Sequence, residues 1–136
     1  MPVNSEEDIV RAICTDKWDG ERIAPSLFTC GDVSVSRLAI IPLEDHWEMF
    51  RQHVQKPPER LLKLIGEINV GNLQQIGRNC ILRTELTVEP DPVDWNPAHA
   101  IIPQKITKGL ANQIIRTLKL HSDPQTTREP HLRELL

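Results

Sequence analysis

A rigid, non-helical loop followed by a short strand is predicted for residues 90–102, Pro90-Asp91-Pro92-Val93-Asp94-Trp95-Asn96-Pro97-Ala98-His99-Ala100-Ile101-Ile102. Each proline fixes its own φ angle and pushes the residue before it toward extended geometry. Trp95 is the expected anchor of this arm, because an indole covers apolar surface while its N–H reaches a carbonyl. The arm would then hold His99 in one place, at the edge of a strand over residues 99–102.

Before this arm, the clearest signals are one helix and two strands. Apolar residues recur at spacings of four, three and four from Leu43 to Val54, which predicts an amphipathic helix over 43–55. β-branched and aliphatic residues predict a strand over 33–41, and alternation of apolar and polar residues predicts another over 80–89.

Shorter signals predict three further elements. A capping pattern at Ser5 and Asp8, followed by apolar residues through Ile13, predicts a first helix. Pro58 can open a short helix over 58–65, and residues 67–70 are a candidate strand.

After the arm, one helix and a tail are predicted. Apolar residues every four positions, Ile106, Leu110, Ile114 and Leu118, predict a helix over 104–120. Residues 121–136 are polar and interrupted by prolines, which predicts a flexible tail behind a single domain over 1–120. Helices and strands do not alternate regularly, so the expected class is α+β, with a mostly antiparallel sheet of three or four strands packed by amphipathic helices.

Composition excludes several classes of function. The chain has 136 residues, a net charge of −3 and only 4% aromatic residues, which argues against base-stacking nucleic-acid surfaces. No apolar run approaches the roughly 20 residues that a membrane span needs. The first residues are acidic and lack the pattern of a signal peptide, which predicts a cytoplasmic protein without membrane contact.

Metal and cofactor sites are not expected. The three cysteines, Cys14, Cys30 and Cys80, are widely spaced and form no C-x-x-C pair, so buried free thiols are the simplest interpretation. His46 and His53 lie seven residues apart, about 10.5 Å along a helix, which is too far for both to bind one metal ion.

His99 is the strongest candidate for acid–base chemistry, because a histidine titrates near neutral pH. In a catalytic site, Asp94 or Asp91 would orient its ring, and Arg37 or Arg83 would hold an anion. The alternative is a structural histidine whose ring bonds the backbone of the proline-rich loop.

A basic stripe is predicted on the last helix. Lys105, Lys108, Arg116 and Lys119 would project opposite its apolar face, where they could contact phosphates or an acidic partner. The alternative is an ordinary solvated helix face, with nucleic-acid binding weak and dependent on salt.

Three short segments, Ser26-Leu27-Phe28, Ser34-Val35-Ser36-Arg37 and Asn96-Pro97-Ala98-His99-Ala100, are similar to segments of a family of small bacterial proteins of comparable size. They cover about a tenth of the chain. This resemblance implies a bacterial protein but no activity, cofactor or site residue.

Two hypotheses about function follow from the sequence. The first is a small binding or accessory module without catalytic activity of its own, using the basic stripe and Trp95 to bind a protein partner or a second copy. The second is a small enzyme acting on a nucleotide or phosphodiester, with His99, Arg37 and Asp94 as its site.

Overall fold

The computed structural model describes residues 3–124, in which six strands form one sheet and four helices pack around it. The strands are β1 (Asp8–Cys14), β2 (Val33–Arg37), β3 (Leu62–Asn69), β4 (Glu89–Pro90), β5 (His99–Ile102) and β6 (Lys119–Ser122). The helices are α1 (Ser26–Thr29), α2 (Leu43–His53), α3 (Val70–Asn79) and α4 (Lys108–Thr117). The strand order is β4-β5-β2-β1-β3-β6, and all neighbouring strands are antiparallel. The α+β class is confirmed, but the sheet has six strands rather than the predicted three or four.

Four elements follow the predictions closely. Helix α2 begins at Leu43 as predicted and ends two residues early, and β5 occupies the predicted residues 99–102. Strand β2 covers the first half of the predicted 33–41, before the chain turns toward Pro42. Helix α4 lies inside the predicted 104–120 but is shorter at both ends. Thr107 caps its start, and the chain becomes extended at Leu118 and enters β6 at Lys119.

The predicted first helix is wrong, because residues 8–14 form the central strand β1. Ile9, Val10 and Ile13 are all buried, although they do not lie on one side of the sheet. A strand buried on both sides lacks the alternation that identifies a half-exposed strand, so periodicity alone cannot distinguish it from a helix.

The predicted short helix over 58–65 and the predicted strand over 80–89 are also wrong. Strand β3 begins at Leu62 and includes most of the predicted strand over 67–70. Residues 82–88 are irregular, and only Glu89 and Pro90 pair with β5. Helix α3 over 70–79 was not predicted.

Strand β6 contains the predicted boundary between domain and tail at residue 120. It pairs with β3, with Leu120 opposite Gly66 and His121 opposite Ile65. Residues 125–136 of the predicted tail lie outside the described residues.

The two faces of the sheet are covered differently. On the covered face, which carries Ile9, Ile13, Val35, Leu64 and Ile68, α1, α3 and α4 pack to form the main core. On the open face, among the four helices of the described chain, only α2 contributes to the smaller core. That core consists of Val10, Cys14, Trp47, Phe50, Leu62 and Ile65.

Candidate ligand-binding site

Strands β1 and β2 separate after two residue pairs. Ile9 pairs with Arg37 and Val10 with Ser36, but the two pairs that would follow in this register, Arg11 with Val35 and Ala12 with Ser34, are not formed. Along a strand, every second residue turns its backbone N–H and C=O toward the same neighbouring strand. Ala12 lies two residues after Val10 on β1, and Ser34 lies two residues before Ser36 on β2. Ala12 and Ser34 therefore present backbone polar groups to the gap between the strands, outside any ladder pair.

Arg11 bridges this gap with its guanidinium. Its Nη1 donates to the carbonyl of Ser34 at 2.8 Å, and its Nε donates to the carbonyl of Leu27 at 2.9 Å. The guanidinium also lies 5.9 Å from the ring centroid of Phe28. Within residues 3–124 no carboxylate pairs with it, and burial lowers the pKa of Arg11.

A cavity of about 320 Å³ opens at the gap. Of the charged lining residues within 3–124, Arg11, Lys17 and Arg60 are cationic and Asp16 is the one carboxylate. The cavity therefore carries a positive charge in a chain whose net charge is −3. Its uncharged lining includes Ala12, Leu27, Ser34, Ser36, Phe50, Val54, Trp95 and Asn96, together with the titratable His53 and His99.

Arg60 carries a buried donor without an acceptor. Its backbone is held in a turn by reciprocal hydrogen bonds with Lys56, at 2.7 and 2.9 Å. Its side-chain Nε is buried and has no hydrogen-bond partner among the described residues. Buried polar side-chain atoms are nearly always hydrogen-bonded, so this unpaired N–H is an exception, and it belongs to a residue that lines the cavity.

Trp95 forms an aromatic wall of the cavity with His53. Their rings stack with centroids 4.8 Å apart and planes 12° from parallel. This contact joins the proline-rich arm to the last residue of α2. Beside it, Phe50 and Val54 supply apolar surface.

A buried polar chain fixes the arm to the sheet behind this wall. His46 Nδ1 lies 3.0 Å from the carbonyl of Pro42, which can only accept, so the neutral ring carries its proton there. Its Nε2 then accepts from the hydroxyl of Ser36 at 2.6 Å, and Ser36 Oγ accepts from Asn96 Nδ2 at 3.0 Å. Burial lowers the pKa of His46, which favours this neutral arrangement.

His99 lies at the cavity but is not accompanied by the predicted arginine. Its Nδ1 lies 2.7 Å from the backbone carbonyl of Asp91 and 3.3 Å from the carboxylate of the same residue. In the neutral ring, a proton on Nδ1 leaves Nε2 as the acceptor. The partner of His99 is thus Asp91, one of the two aspartates considered, and it acts through both backbone and side chain.

Arg37 and Asp94 lie away from this arrangement. The Arg37 side chain projects on the face opposite Ser36, where its Nε and Nη2 contact the Glu7 carboxylate at 2.8 and 2.7 Å. Hydrogen bonding from the Arg37 side chain lowers the pKa of Glu7. Asp94 is exposed in a turn closed by Val93 and Asn96. The structure therefore does not bring His99, Arg37 and Asp94 together.

The four residues of the predicted basic stripe do not share a helix. Lys105 precedes α4, Lys108 and Arg116 lie within it, and Lys119 belongs to β6. All four are exposed. Lys108 lines a second, shallower depression of about 420 Å³ that shares Asp16 and Lys17 with the cavity.

Sequence reasoning identified Trp95 and His99 but missed the cationic residues of the cavity. Arg11 belongs to a segment predicted as helix, and Arg60 to another, so neither was placed beside β2. Within residues 3–124 no helix has the length and apolarity to cross a membrane. The same residues contain no group of three His, Cys, Asp or Glu side chains that could hold a metal ion.

Comparison with protein-family models, with curated proteins and with solved structures found no match to this chain. The function of the cavity therefore has to be inferred from its own residues.

Proposed function

We propose that the protein is a binding module whose cavity between β1 and β2 takes a small anionic ligand with an apolar part. The observation that carries the proposal is the pair Arg11 and Arg60. Both arginines line the cavity, neither has a carboxylate partner among residues 3–124, and Arg60 retains a buried N–H without an acceptor.

Electrostatics favour an anion at this position. A guanidinium removed from water loses hydration, and backbone carbonyls compensate only part of that loss. An oxyanion in the cavity would form charge-assisted hydrogen bonds, which are about twice as strong as neutral ones. Lys17 would add to this attraction, because its Nζ has a neutral partner, Ser26 Oγ at 3.1 Å.

Size and lining limit the ligand. A volume of about 320 Å³ is at the lower end of the range for small-molecule cavities. Trp95, Phe50 and Val54 offer apolar and aromatic contact on one side of it. The ligand that fits is a compact anion attached to an apolar group.

We favour binding without catalysis over the nucleotide or phosphodiester enzyme. His99 is at the cavity, but the arginine expected to clamp a phosphate beside it is paired with Glu7. A cytoplasmic bacterial protein with a protein partner is part of the same proposal. The three cysteines are free, as is usual in such a setting, although only Cys14 is buried and Cys30 is exposed.

Calorimetric titration of the full chain with benzoate, phenyl phosphate and phenol tests the proposal. Benzoate and phenyl phosphate should bind at low salt, while phenol, which has the ring without the charge, should bind at least tenfold more weakly. Arg60→Gln should weaken both anions about tenfold. Arg78→Gln is the matched control, because Arg78 is exposed, pairs with Glu85 and does not line the cavity.

Equal binding of phenol and the two anions would show that charge is not recognised. Equal losses in Arg60→Gln and Arg78→Gln would place the anion outside the cavity. Either result, or no binding of any probe, would refute the proposed function.

A further inference from the structure

We propose that the edge of the sheet at β6 pairs with the same edge of a second copy of this chain, so that a twofold axis joins the two sheets. This inference goes beyond the cavity, because none of the residues of β6 lines it. It is carried by unpaired backbone groups of β6 and by the exposed side chain of Leu120.

The two edges of the sheet differ in how they are protected. Strand β4 is two residues long, and Pro90 within it has no N–H to offer. Short strands and prolines keep the edges of sheets from pairing with other chains. Strand β6, at the opposite edge, has four residues and no proline. Within residues 3–124 no strand pairs beyond it, and Lys119, Leu120 and Ser122 are exposed.

Alternation along β3 shows which of its residues bond to β6. The amide of Val70, directly after β3, donates to the carbonyl of Glu7, directly before β1, at 2.9 Å. Because every second residue of a strand turns to the same neighbour, the even-numbered residues of β3 face β1. The odd-numbered residues Ile65 and Glu67 therefore face β6.

Two residues of β6 consequently keep unpaired backbone groups. Lys119 and His121 lie opposite the two residues of β3 that face this strand, so they turn their N–H and C=O toward β3. Leu120 and Ser122 turn theirs to the outside of the sheet. On that side, neither has a hydrogen-bond partner within residues 3–124.

This pattern of donors and acceptors is complementary to itself. In an antiparallel pair of β6 strands, Leu120 of each copy can lie opposite Ser122 of the other, and every outward N–H and C=O then has a partner. A shift by two residues in one direction brings Leu120 opposite Pro124, which has no N–H. A shift in the other direction brings Ser122 opposite Leu118, which lies outside the strand. One register is therefore preferred.

The side chains are compatible with that register. Leu120 is 48% exposed in the single chain and would lie diagonally across from Leu120 of the second copy, within reach of a long side chain. Lys119 would face position 123, an aspartate, so no like charges oppose each other there. His121 would face its own counterpart, and the Glu67 carboxylate 2.8 Å from each ring would offset positive charge at that point.

The contact is small, so the expected dimer is weak. Stable interfaces bury about 1,200–2,000 Å² in total, and one pair of four-residue strands provides less. We therefore expect a monomer–dimer equilibrium with a dissociation constant between the micromolar and the millimolar range.

The test measures association and edge protection on the full chain. Analytical ultracentrifugation from about 10 µM to about 1 mM should show the mass rising toward twice that of one chain. Over the same concentrations, hydrogen exchange of the Leu120 and Ser122 amides, followed by NMR, should slow as the concentration rises.

Ser122→Pro removes an N–H that bonds nothing in the single chain, and the residue before it is already extended. This variant should weaken association at least tenfold. Ser122→Ala is the matched control, because it keeps the N–H and removes only the hydroxyl, and it should change association less than twofold.

A chain that stays monomeric throughout would overturn the inference. Slow exchange of both amides at every concentration would show that the same chain covers this edge, and fast exchange in a dimer would place the contact elsewhere. Equal losses in Ser122→Pro and Ser122→Ala would also contradict the pairing. If Ser122→Pro fails to fold, the two amides of the unsubstituted chain still decide.

Discussion

The two faces of the sheet show how one set of strands can serve stability on one side and binding on the other. The covered face meets three helices, and the core residues that it contributes are apolar and almost completely buried. The open face meets α2 alone among the described helices, and next to that helix it carries Ser34, Ser36 and His99. Beside α2, where no other described helix covers the open face, strands β1 and β2 also separate from each other. The polar side chains of Ser34, Ser36 and His99 therefore lie together at one cavity.

The largest expected difference between the faces is in the cost of removing an aromatic ring. Phe28→Ala, on α1 over the covered face, should lower the free energy of unfolding by about 3–5 kcal/mol, because the ring is 2% exposed and would leave a cavity. Trp95→Leu, at the open face, should cost less than about 2 kcal/mol, because the indole already borders open space. Urea denaturation measures both. An equal or larger cost for Trp95→Leu would contradict the division between the faces.

The next effect concerns close packing of α3 on the covered side. A Cβ at Gly77 would lie 2.5 Å from the backbone carbonyl oxygen of Thr84 and 3.1 Å from Leu86. Gly77→Ala should therefore destabilise the protein by about 1–3 kcal/mol through overpacking. Gly109→Ala is the matched control, since a Cβ there meets no atom within 4 Å in helix α4, and it should be neutral or stabilise by up to about 1 kcal/mol. Two equal effects in denaturation curves would refute the packing argument.

The pH dependence of stability is a test of the buried hydrogen bonds that join His46, Ser36 and Asn96 behind the cavity. Burial lowers the pKa of His46, so the folded state favours the neutral ring. This contribution is present in full above the unfolded pKa of about 6.5 and is lost as the pH falls toward the folded value. Below about pH 6.5 the free energy of unfolding should therefore fall by up to ~1.4 kcal/mol per pH unit.

Urea denaturation between pH 8 and pH 5 measures that slope, and His46→Gln should flatten it. Glu7, whose pKa is lowered by Arg37, acts in a different window, because its contribution is lost only below about pH 4.3. A slope that His46→Gln leaves unchanged would show that another group is titrating.

The smallest expected effect on stability is at the cavity itself. Arg60→Gln should change the free energy of unfolding by no more than about 0.5 kcal/mol, because its buried Nε has no partner to lose. Thermal and urea denaturation both measure this. A loss of several kcal/mol would mean that Arg60 supports the fold rather than a ligand.

The difference between the faces also explains what could be predicted from sequence. Helix α2 was predicted because Leu43, Trp47 and Phe50 form a periodic stripe against polar residues, and β5 because a proline-rich arm precedes a short apolar run. Strand β1 was not predicted, because Ile9 and Val10 are buried on opposite faces of the sheet and the strand shows no alternation of apolar and polar residues.

For the same reason, only part of the site could be predicted from the sequence. Trp95 and His99 belong to the arm, whose prolines indicate order in the sequence itself. Arg11 and Arg60 reach the cavity through long-range strand pairing, Arg11 on β1 and Arg60 just before β3. His46 is fixed by Ser36, ten residues earlier on another element, and no local pattern indicates that contact.

Hydrogen exchange of single backbone amides tests the central claim most directly, because the site depends on the gap between β1 and β2. In the free protein the Ser34 amide should exchange much faster than the amides of Val10 and Ser36, which form the last closed pair. Adding benzoate should slow the exchange of the Ser34 amide. Protection of Ser34 equal to that of Val10 and Ser36 in the free protein would show that the ladder is closed, and would contradict the account.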